Sequence, residues 1–435
     1  MAEGSNKATD HTNVYIVDGS RTPFLKTTGV PGPFTASDLA VQAARPLLAR
    51  QPFGPSQFDE VILGCIMPSP DEANIARVGA LRLGCGEKVP GWTVQRNCGS
   101  GMQAIDCGVS DIITGRADLV LAGGTESMSH APLMFSKIFA TWMGRFSMAK
   151  SAAEKTRQIV KFRPSMLSPV IALLRGLTDP VVGLNMGQTA EVIAHRFGID
   201  RHAMDEYATR SHLRLAAAQQ EGRMKEIEVV YDVNGQYYDH DNGVRPDSSV
   251  EKLAKLRPAF DRDFGSVTAG NSSQITDGAA WVILASETAV NKYQLPVLGR
   301  IVDSAWAGLL PQQMGLGPVH AMTPIMQRQN LSINDVDYWE INEAFAAQVL
   351  SCIAAWNDED YCRDELNLDS ALGELDIERL NVDGGAIGLG HPVGSSGARI
   401  VLHLCHVLAQ KNANRGMAAI CIGGGQGGAM LIERG

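Results

Sequence analysis

The apolar and polar positions of the chain fall into two rhythms. Short unbroken apolar runs at residues 14–17, 60–65 and 119–122 predict buried strands. Between them, residues 36–48 and 75–83 place apolar side chains three and four apart, which predicts helices. The C-terminal part repeats the plan, with strands at 297–306, 336–341 and 417–422 and helices at 318–329, 343–356 and 395–410. Strands alternating with helices argue for a layered α/β fold. The stretches VDGSRTPF and VDSAWAGL, and LVLAGGTESMS and AICIGGGQGGAM, look like equivalent positions of two similar halves. Arg21-Thr22-Pro23-Phe24 reads as a turn after the first strand, and Gly123-Gly124 as the end of the strand at 119–122.

The region from 129 to about 260 has another character. Residues 136–176 hold eight Lys or Arg (137, 145, 150, 155, 157, 161, 163 and 175) against one acid, Glu154. Met134, Phe135, Ile138, Phe139, Trp142 and Met143 interleave apolar surface with that charge. Such a mixture suits a partner or a membrane surface; the plainer reading is a solvated face. A helix at 201–220, the VTAGNSS stretch at 267–273 and a strand at 279–285 follow.

Composition narrows the class. The 435 residues are 45% hydrophobic, enough for large cores in two or three domains. A net charge of −9 argues against a nucleic-acid binder. The eight cysteines contain no CxxC pair, so neither a zinc site nor a disulfide framework is indicated, and a reducing compartment fits. No apolar run is long enough to span a membrane. MAEGSNKATDHTN has neither the apolar core of a signal peptide nor the Arg-rich pattern of a transit peptide.

Three stretches carry chemistry. The first is TVQRNCGSGMQAIDCGVSDIIT at 93–114, an extended run turning helical just after Cys98. That places Cys98 on the first turn of a helix. Free N–H groups and the positive end of the dipole there favour thiolate over thiol. A cysteine at a helix start also packs simply as a small apolar side chain. The second stretch, NVDGGAIGLGHPVGSSG at 381–397, carries His391, and the third, AICIGGGQGG at 419–428, carries Cys421. Each reads as a β-like run followed by a glycine-rich turn. Asn342-Glu343-Ala344-Phe345 follows a strand directly, where Asn342 also suits a helix N-cap.

With CGSGMQA, NEAF, GGAIGLGHPVGSSG and CIGGGQG in this order, the chain resembles the thiolases, acyl-CoA:acetyl-CoA acyltransferases, from about Tyr15 to the end. The resemblance implies two similar βαβαβαββ halves, each a five-stranded mixed sheet, in a five-layered α-β-α-β-α core. It implies an N-terminal half at 12–128 and 262–290, an inserted loop domain at 129–261 and a C-terminal half at 291–435. It implies a 3-ketoacyl-CoA thiolase of fatty-acid β-oxidation, with coenzyme A as substrate and no bound cofactor or metal. Cys98 is then the nucleophile, His391 its base and Cys421 the second acid/base. Asn342, through a water, and His391 form one oxyanion hole, and the N–H groups of Cys98 and Gly423 the other. Glu343 orients His391 or Asn342. Ser273, Met186 and Asn185 are the expected coenzyme A contacts, with Asn185 standing where short-chain members often have His. The long 136–176 segment resembles thiolase subunits that pair with a hydratase/3-hydroxyacyl-CoA dehydrogenase α subunit. A homodimer within such a complex, in bacterial cytoplasm, is the implied setting. A biosynthetic acetoacetyl-CoA thiolase would use the same residues in reverse. A non-catalytic carrier or scaffold of this fold would have no need of all four reactive positions.

Overall fold

The computed structural model describes residues 13–435, so the leader-free reading of residues 1–12 lies outside the described part. The N-terminal half comprises β1 (Val14–Arg21), α1 (Ala36–Ala49), β2 (Glu60–Gly64), α2 (Ile75–Arg82), β3 (Gly91–Val94), α3 (Ser100–Ile113) and β4 (Leu119–Ser127). An intervening region holds α4 (Lys137–Met148), α5 (Ala152–Lys161), α6 (Ala172–Gly176), α7 (Met186–Arg196) and α8 (Arg201–Gln220). The chain then returns through β5 (Thr276–Ser286). The C-terminal half is β6 (Gly299–Gly308), α9 (Gly317–Arg328), β7 (Tyr338–Ile341), α10 (Ala346–Asn357), α11 (Ala386–Leu389), α12 (Ser396–Lys411), β8 (Arg415–Ile422) and β9 (Gln426–Arg434).

These nine strands form one sheet in the order β7-β8-β9-β6-β1-β5-β4-β2-β3, with Leu25–Lys26 as a short tenth strand beside β5. The halves join edge to edge where residues 14–16 of β1 pair antiparallel with residues 299–301 of β6. Alternation along each strand sets the layers. In β4, Leu119 and Leu121 face a core with α1 and α2, while Val120 and Ala122 face one built on α3 and α12. In β8, Ala418, Ile420 and Ile422 face that same α3–α12 core, while Met417 and Ala419 face a third with α9 and α10. Two sheet layers between three helix layers give the expected five-layered stack.

The duplication is visible in detail. β1 bulges between Ile16 and Asp18, and β6 bulges between Ile301 and Asp303. Each bulge presents an aspartate to the end of the following helix. Arg50 and Gln51 donate to Asp18; Arg328 and Gln329 donate to Asp303. The halves differ at one edge: the C-terminal counterpart of β3 is reduced to a single bridge from Leu380 to Trp339. Residues 381–383 are therefore not a strand, and this half has four full strands rather than five.

Other boundaries shift for identifiable reasons. β1 runs on to Arg21, which is buried rather than in a turn. Its guanidinium takes both oxygens of Asp241 at 2.7 and 2.9 Å and Glu226 at 3.2 Å, tying the inserted region to the core. A buried charge of this kind is tolerated because it is fully paired. β4 passes through Gly123-Gly124 to Ser127, because the main chain of Gly394 lies where a Cβ on Gly124 would stand. In the 136–176 segment all eight cations are exposed, and none is in an ion pair with another of the described residues. Met134, Phe135, Ile138 and Met143 are exposed too. Phe139 is buried and Trp142 half-buried, because Trp142 stacks between Phe139 and Phe146. Among the described residues, no helix is long and apolar enough to cross a membrane.

Candidate active site

Cys98 sits on a tight turn between β3 and α3. Asn97 adopts φ 44°, a left-handed conformation that Asn tolerates better than most residues. Its Nδ2 donates to the Gly423 carbonyl at 2.7 Å, joining this turn to the end of β8. The Ser100 hydroxyl donates to the Asn97 carbonyl at 2.6 Å and accepts the Arg96 N–H at 2.9 Å, closing the turn. Helix α3 starts at Ser100, so Cys98 stands two residues ahead of it rather than on its first turn. Burial pushes the Cys98 thiol up, and the N–H groups of Gly423 and Cys98 itself pull only part of the way back. The helix end therefore does not by itself make a resting thiolate; a base is required.

His391 brings an imidazole to the same cavity. The Ser396 hydroxyl lies 2.6 Å from His391 Nδ1 and donates its own proton to the Pro392 carbonyl at 3.2 Å. Ser396 Oγ is then the acceptor for Nδ1–H, which leaves Nε2 with its lone pair free. Nε2 is buried and has no hydrogen-bond partner in the protein. Burial pushes the imidazole down to about 3, with Arg399 adding to the effect, so the ring is neutral at physiological pH.

Cys421 lies at the end of β8, just before Gly423. Its thiol is pushed well up by burial, with Cys98 as the next contributor. It is thus a protonated acid at rest. Asn342 is wholly buried, and neither its Oδ1 nor its Nδ2 has a protein partner. It is not a helix N-cap: α10 begins only at Ala346, after an extended Phe345. A buried amide left free of protein partners is the signature of a group reserved for something else. The Glu343 carboxylate hydrogen-bonds to neither His391 nor Asn342. It accepts from Tyr207, Ser211, Asn381 and the Ile387 N–H, locking α8 and α11 together.

A cavity of about 640 Å³ opens onto these groups. Of the nine residues singled out from the sequence, Cys98, His391, Cys421, Ser273, Met186 and Asn185 line it; Asn342, Glu343 and Gly423 do not. The Gly423 N–H is directed to the Cys98 sulfur. Asn185 is committed locally: it caps α7, its side chain accepting from Gln188 N–H at 2.9 Å. Lys26 and Arg245 also line the cavity, and sequence reasoning missed both as site residues. An isolated cation in a loop carries no motif; only the fold brings these two together. Ser396 was missed as well, although its place five residues after His391, in the glycine-rich turn, was the available signal.

Two family models match the chain: "Thiolase, N-terminal domain" over residues 14–288 and "Thiolase, C-terminal domain" over 295–434. The chain is 39% identical over 426 residues to the mitochondrial 3-ketoacyl-CoA thiolase of Homo sapiens, covering 97% of this chain and 98% of that one. It is 36% identical over 428 residues to an acetyl-CoA acetyltransferase of Allochromatium vinosum, covering 97% and 99%. The crystal structure of human mitochondrial 3-ketoacyl-CoA thiolase in complex with CoA superposes with a TM-score of 0.83 at 37% identity, covering 98% of each chain.

Proposed function

The chain belongs to the thiolase family, and from that premise we propose that it is a 3-ketoacyl-CoA thiolase, cleaving 3-ketoacyl-CoA with coenzyme A. The observation that carries this reading is the convergence of Cys98, His391 and Cys421 on one cavity. His391 Nε2 takes the Cys98 proton, and the sulfur attacks the 3-keto carbon. Collapse of the adduct breaks the bond between the second and third carbons. The acyl group stays on Cys98, and the electron pair leaves on the acetyl-CoA enolate, which takes a proton from Cys421. Acetyl-CoA departs, and coenzyme A attacks the acyl-cysteine, giving its thiol proton to Cys421; the Cys98 sulfur leaves, takes its proton back from His391, and an acyl-CoA two carbons shorter is released. Negative charge on oxygen falls to fixed donors: the N–H groups of Cys98 and Gly423, and Asn342 with His391. Lys26 and Arg245 supply positive charge for the phosphates of coenzyme A, beside Ser273 and Met186.

The chain divides for this task into halves at 12–128 with 262–290 and at 291–435, and a loop domain at 129–261. We assign the exposed, unpaired cations and apolar side chains of 136–176 to contact with a hydratase/dehydrogenase subunit or a membrane surface. Among the described residues strand β3 pairs only with β2, at the end of the sheet, which suits a homodimer. Eight free thiols suit a reducing cytoplasm. An acetyl-CoA acetyltransferase would use the same residues. The predominance of apolar lining, with Leu174, Leu177, Phe260 and Met314, favours substrates longer than acetoacetyl-CoA.

The deciding experiment is thiolysis of C4 to C16 3-ketoacyl-CoAs by the purified chain, with mass spectrometry of the enzyme during turnover. Activity beyond C4 with an acyl adduct on Cys98, lost in Cys98→Ala, is expected. Turnover of acetoacetyl-CoA alone would favour the biosynthetic reading, and an adduct only on Cys421 would reverse the roles of the two cysteines.

A further inference from the structure

Gln274 also lines the cavity, and the chemistry above gives it no task. Its side-chain nitrogen reaches three carbonyl oxygens: Gly243 at 2.8 Å, and Ile387 and Gly388 each at 3.1 Å. Turned over, the amide would set its own oxygen against all three, so hydrogen-bond chemistry fixes its orientation. Ile387 and Gly388 lie in α11, a helix of one turn whose last carbonyls have no helical donors. The Gln274 amide satisfies two of them. Directly beyond the helix come Gly390 and His391. Gly390 has φ +104°, and a Cβ there would collide with Thr276, so the chain has little freedom in how it reaches His391. The main-chain carbonyl of Gln274 accepts the His391 N–H at 3.0 Å. One residue therefore holds this turn twice, by its side chain before His391 and by its main chain at it. The third carbonyl, Gly243, belongs to the segment that brings Arg245 into the cavity.

We propose that Gln274 is a positioning residue for His391: its amide ties the α11 turn and the 243–245 segment together so that Nε2 faces Cys98. This rests on the reading of His391 as base. It explains why a donor is needed here. A carboxylate would repel the three carbonyls, and an apolar side chain would leave them without a partner.

The test is Gln274→Met, which keeps the length of the side chain and removes the donor. Two readouts are taken: kcat and KM for thiolysis, and the pH dependence of Cys98 alkylation by iodoacetamide without substrate. The kcat should fall by about tenfold to a hundredfold, as expected when a reacting group is displaced by a fraction of an ångström to 1 Å. KM should rise by less than kcat falls, since the freed 243–245 segment carries Arg245, and alkylation without substrate should slow and shift to higher pH. In a His391→Ala background the same change should cost little more, because Gln274 acts through His391. Unchanged kcat and alkylation would overturn the proposal. So would a double variant in which the two losses multiply in full, since that marks a structural role independent of the imidazole. If Gln274→Met does not fold, Gln274→Asn keeps the amide, shortens its reach and is expected to act in the same direction. If wild type cleaves no 3-ketoacyl-CoA, the functional reading fails, while the alkylation series still tests the positioning.

Discussion

Ser396 offers a sharp test of the site, because it touches no reacting atom and yet sets which nitrogen of His391 can act. Its Oγ lies 2.6 Å from Nδ1, and its own proton is directed to Pro392. In Ser396→Ala the tautomer protonated at Nδ1 would hold a buried N–H with no acceptor. That costs about 1–3 kcal/mol. Nε2 is buried without a protein acceptor too, so the fold then favours neither tautomer and the proton divides between the two nitrogens. The preference for Nδ1–H falls by about 5- to 150-fold, taking roughly 1.4 kcal/mol per factor of ten, and the tautomer with Nε2 bare drops from nearly all of the neutral ring to about half. Thiolysis should lose about twofold in kcat/KM, and iodoacetamide should alkylate Cys98 more slowly at neutral pH. The folded state should lose about 1–3 kcal/mol in denaturant melts, because either tautomer leaves a buried N–H without an acceptor. Wild-type kcat/KM, alkylation and stability together would refute the tautomer argument, leaving Ser396 a helix-start residue and nothing more.

His391→Ala removes the base itself and should cost about a hundredfold or more in thiolysis; unchanged turnover and alkylation would take His391 out of the mechanism. His212 titrates in the fold rather than in the chemistry. Burial first, then Arg245 and Lys26, push it down to about 4. Its folded value lies below that of the unfolded chain, so its contribution is intact above about pH 6.5 and is lost as pH falls toward 4. Between pH 7 and 5 wild type should lose roughly 2 kcal/mol more stability than His212→Asn, whose oxygen can still accept the Arg245 N–H. Equal pH sensitivity of the two in denaturant melts would refute this. Replacing Lys150, Lys155, Arg157, Lys161 and Arg163 by Gln should weaken retention on anionic vesicles or co-purification of a partner subunit, and spare acetoacetyl-CoA turnover. Wild-type behaviour in both binding assays at low salt, where screening is weakest, would make the segment a solvated face.

The side chains of the candidate site were legible because each is announced by its neighbours. Cys98 and His391 adjoin glycines and Cys421 stands two residues before Gly423, and glycine-rich turns between apolar runs are strong local signals. The strands were legible for the same reason, as unbroken apolar runs. What the sequence hid were effects of assembly. Arg21 follows an apolar run and precedes a proline, so it reads as a turn; two acids 205 and 220 residues away allow it to be buried. Gly123-Gly124 read as a strand end, when Gly124 marks the close approach of the Gly394 main chain and Gly123 that of Ala280 and Trp281 in β5. Asn342 looked like a cap because capping is the commonest task for Asn before a helix, and the bend at Ala344 with the extended Phe345 is invisible to periodicity. Burial of Cys98 opposes the thiolate that its local sequence favours, and no local pattern reports how much of the fold covers a sulfur.

The duplicated fold accounts for the location of the site. In the N-terminal half the turn between β3 and α3 carries Cys98; in the C-terminal half the corresponding connection, from Leu380 into α12, carries His391. The two helices meet at their N-terminal ends. A Cβ on Gly101 would stand 2.9 Å from Ala398 N and 2.9 Å from Gly394 O, and one on Gly397 would stand 2.6 Å from Met102 N. Only glycine at both positions permits so close an approach, and the requirement is reciprocal between the halves. Two helix N-termini, each carrying about half a positive charge, therefore point into one region. The chemistry proposed there makes negative charge twice, on the Cys98 sulfur and on the oxygen of the departing enolate. A single helix end does not overcome the burial of Cys98; in the proposed mechanism a base on the opposing turn, delivered by the second copy of the same motif, completes what the first copy begins. Cys421 and Asn342 fit the same scheme: both stand at the C-terminal ends of neighbouring parallel strands, β8 and β7. In open α/β sheets that is the end where ligands bind.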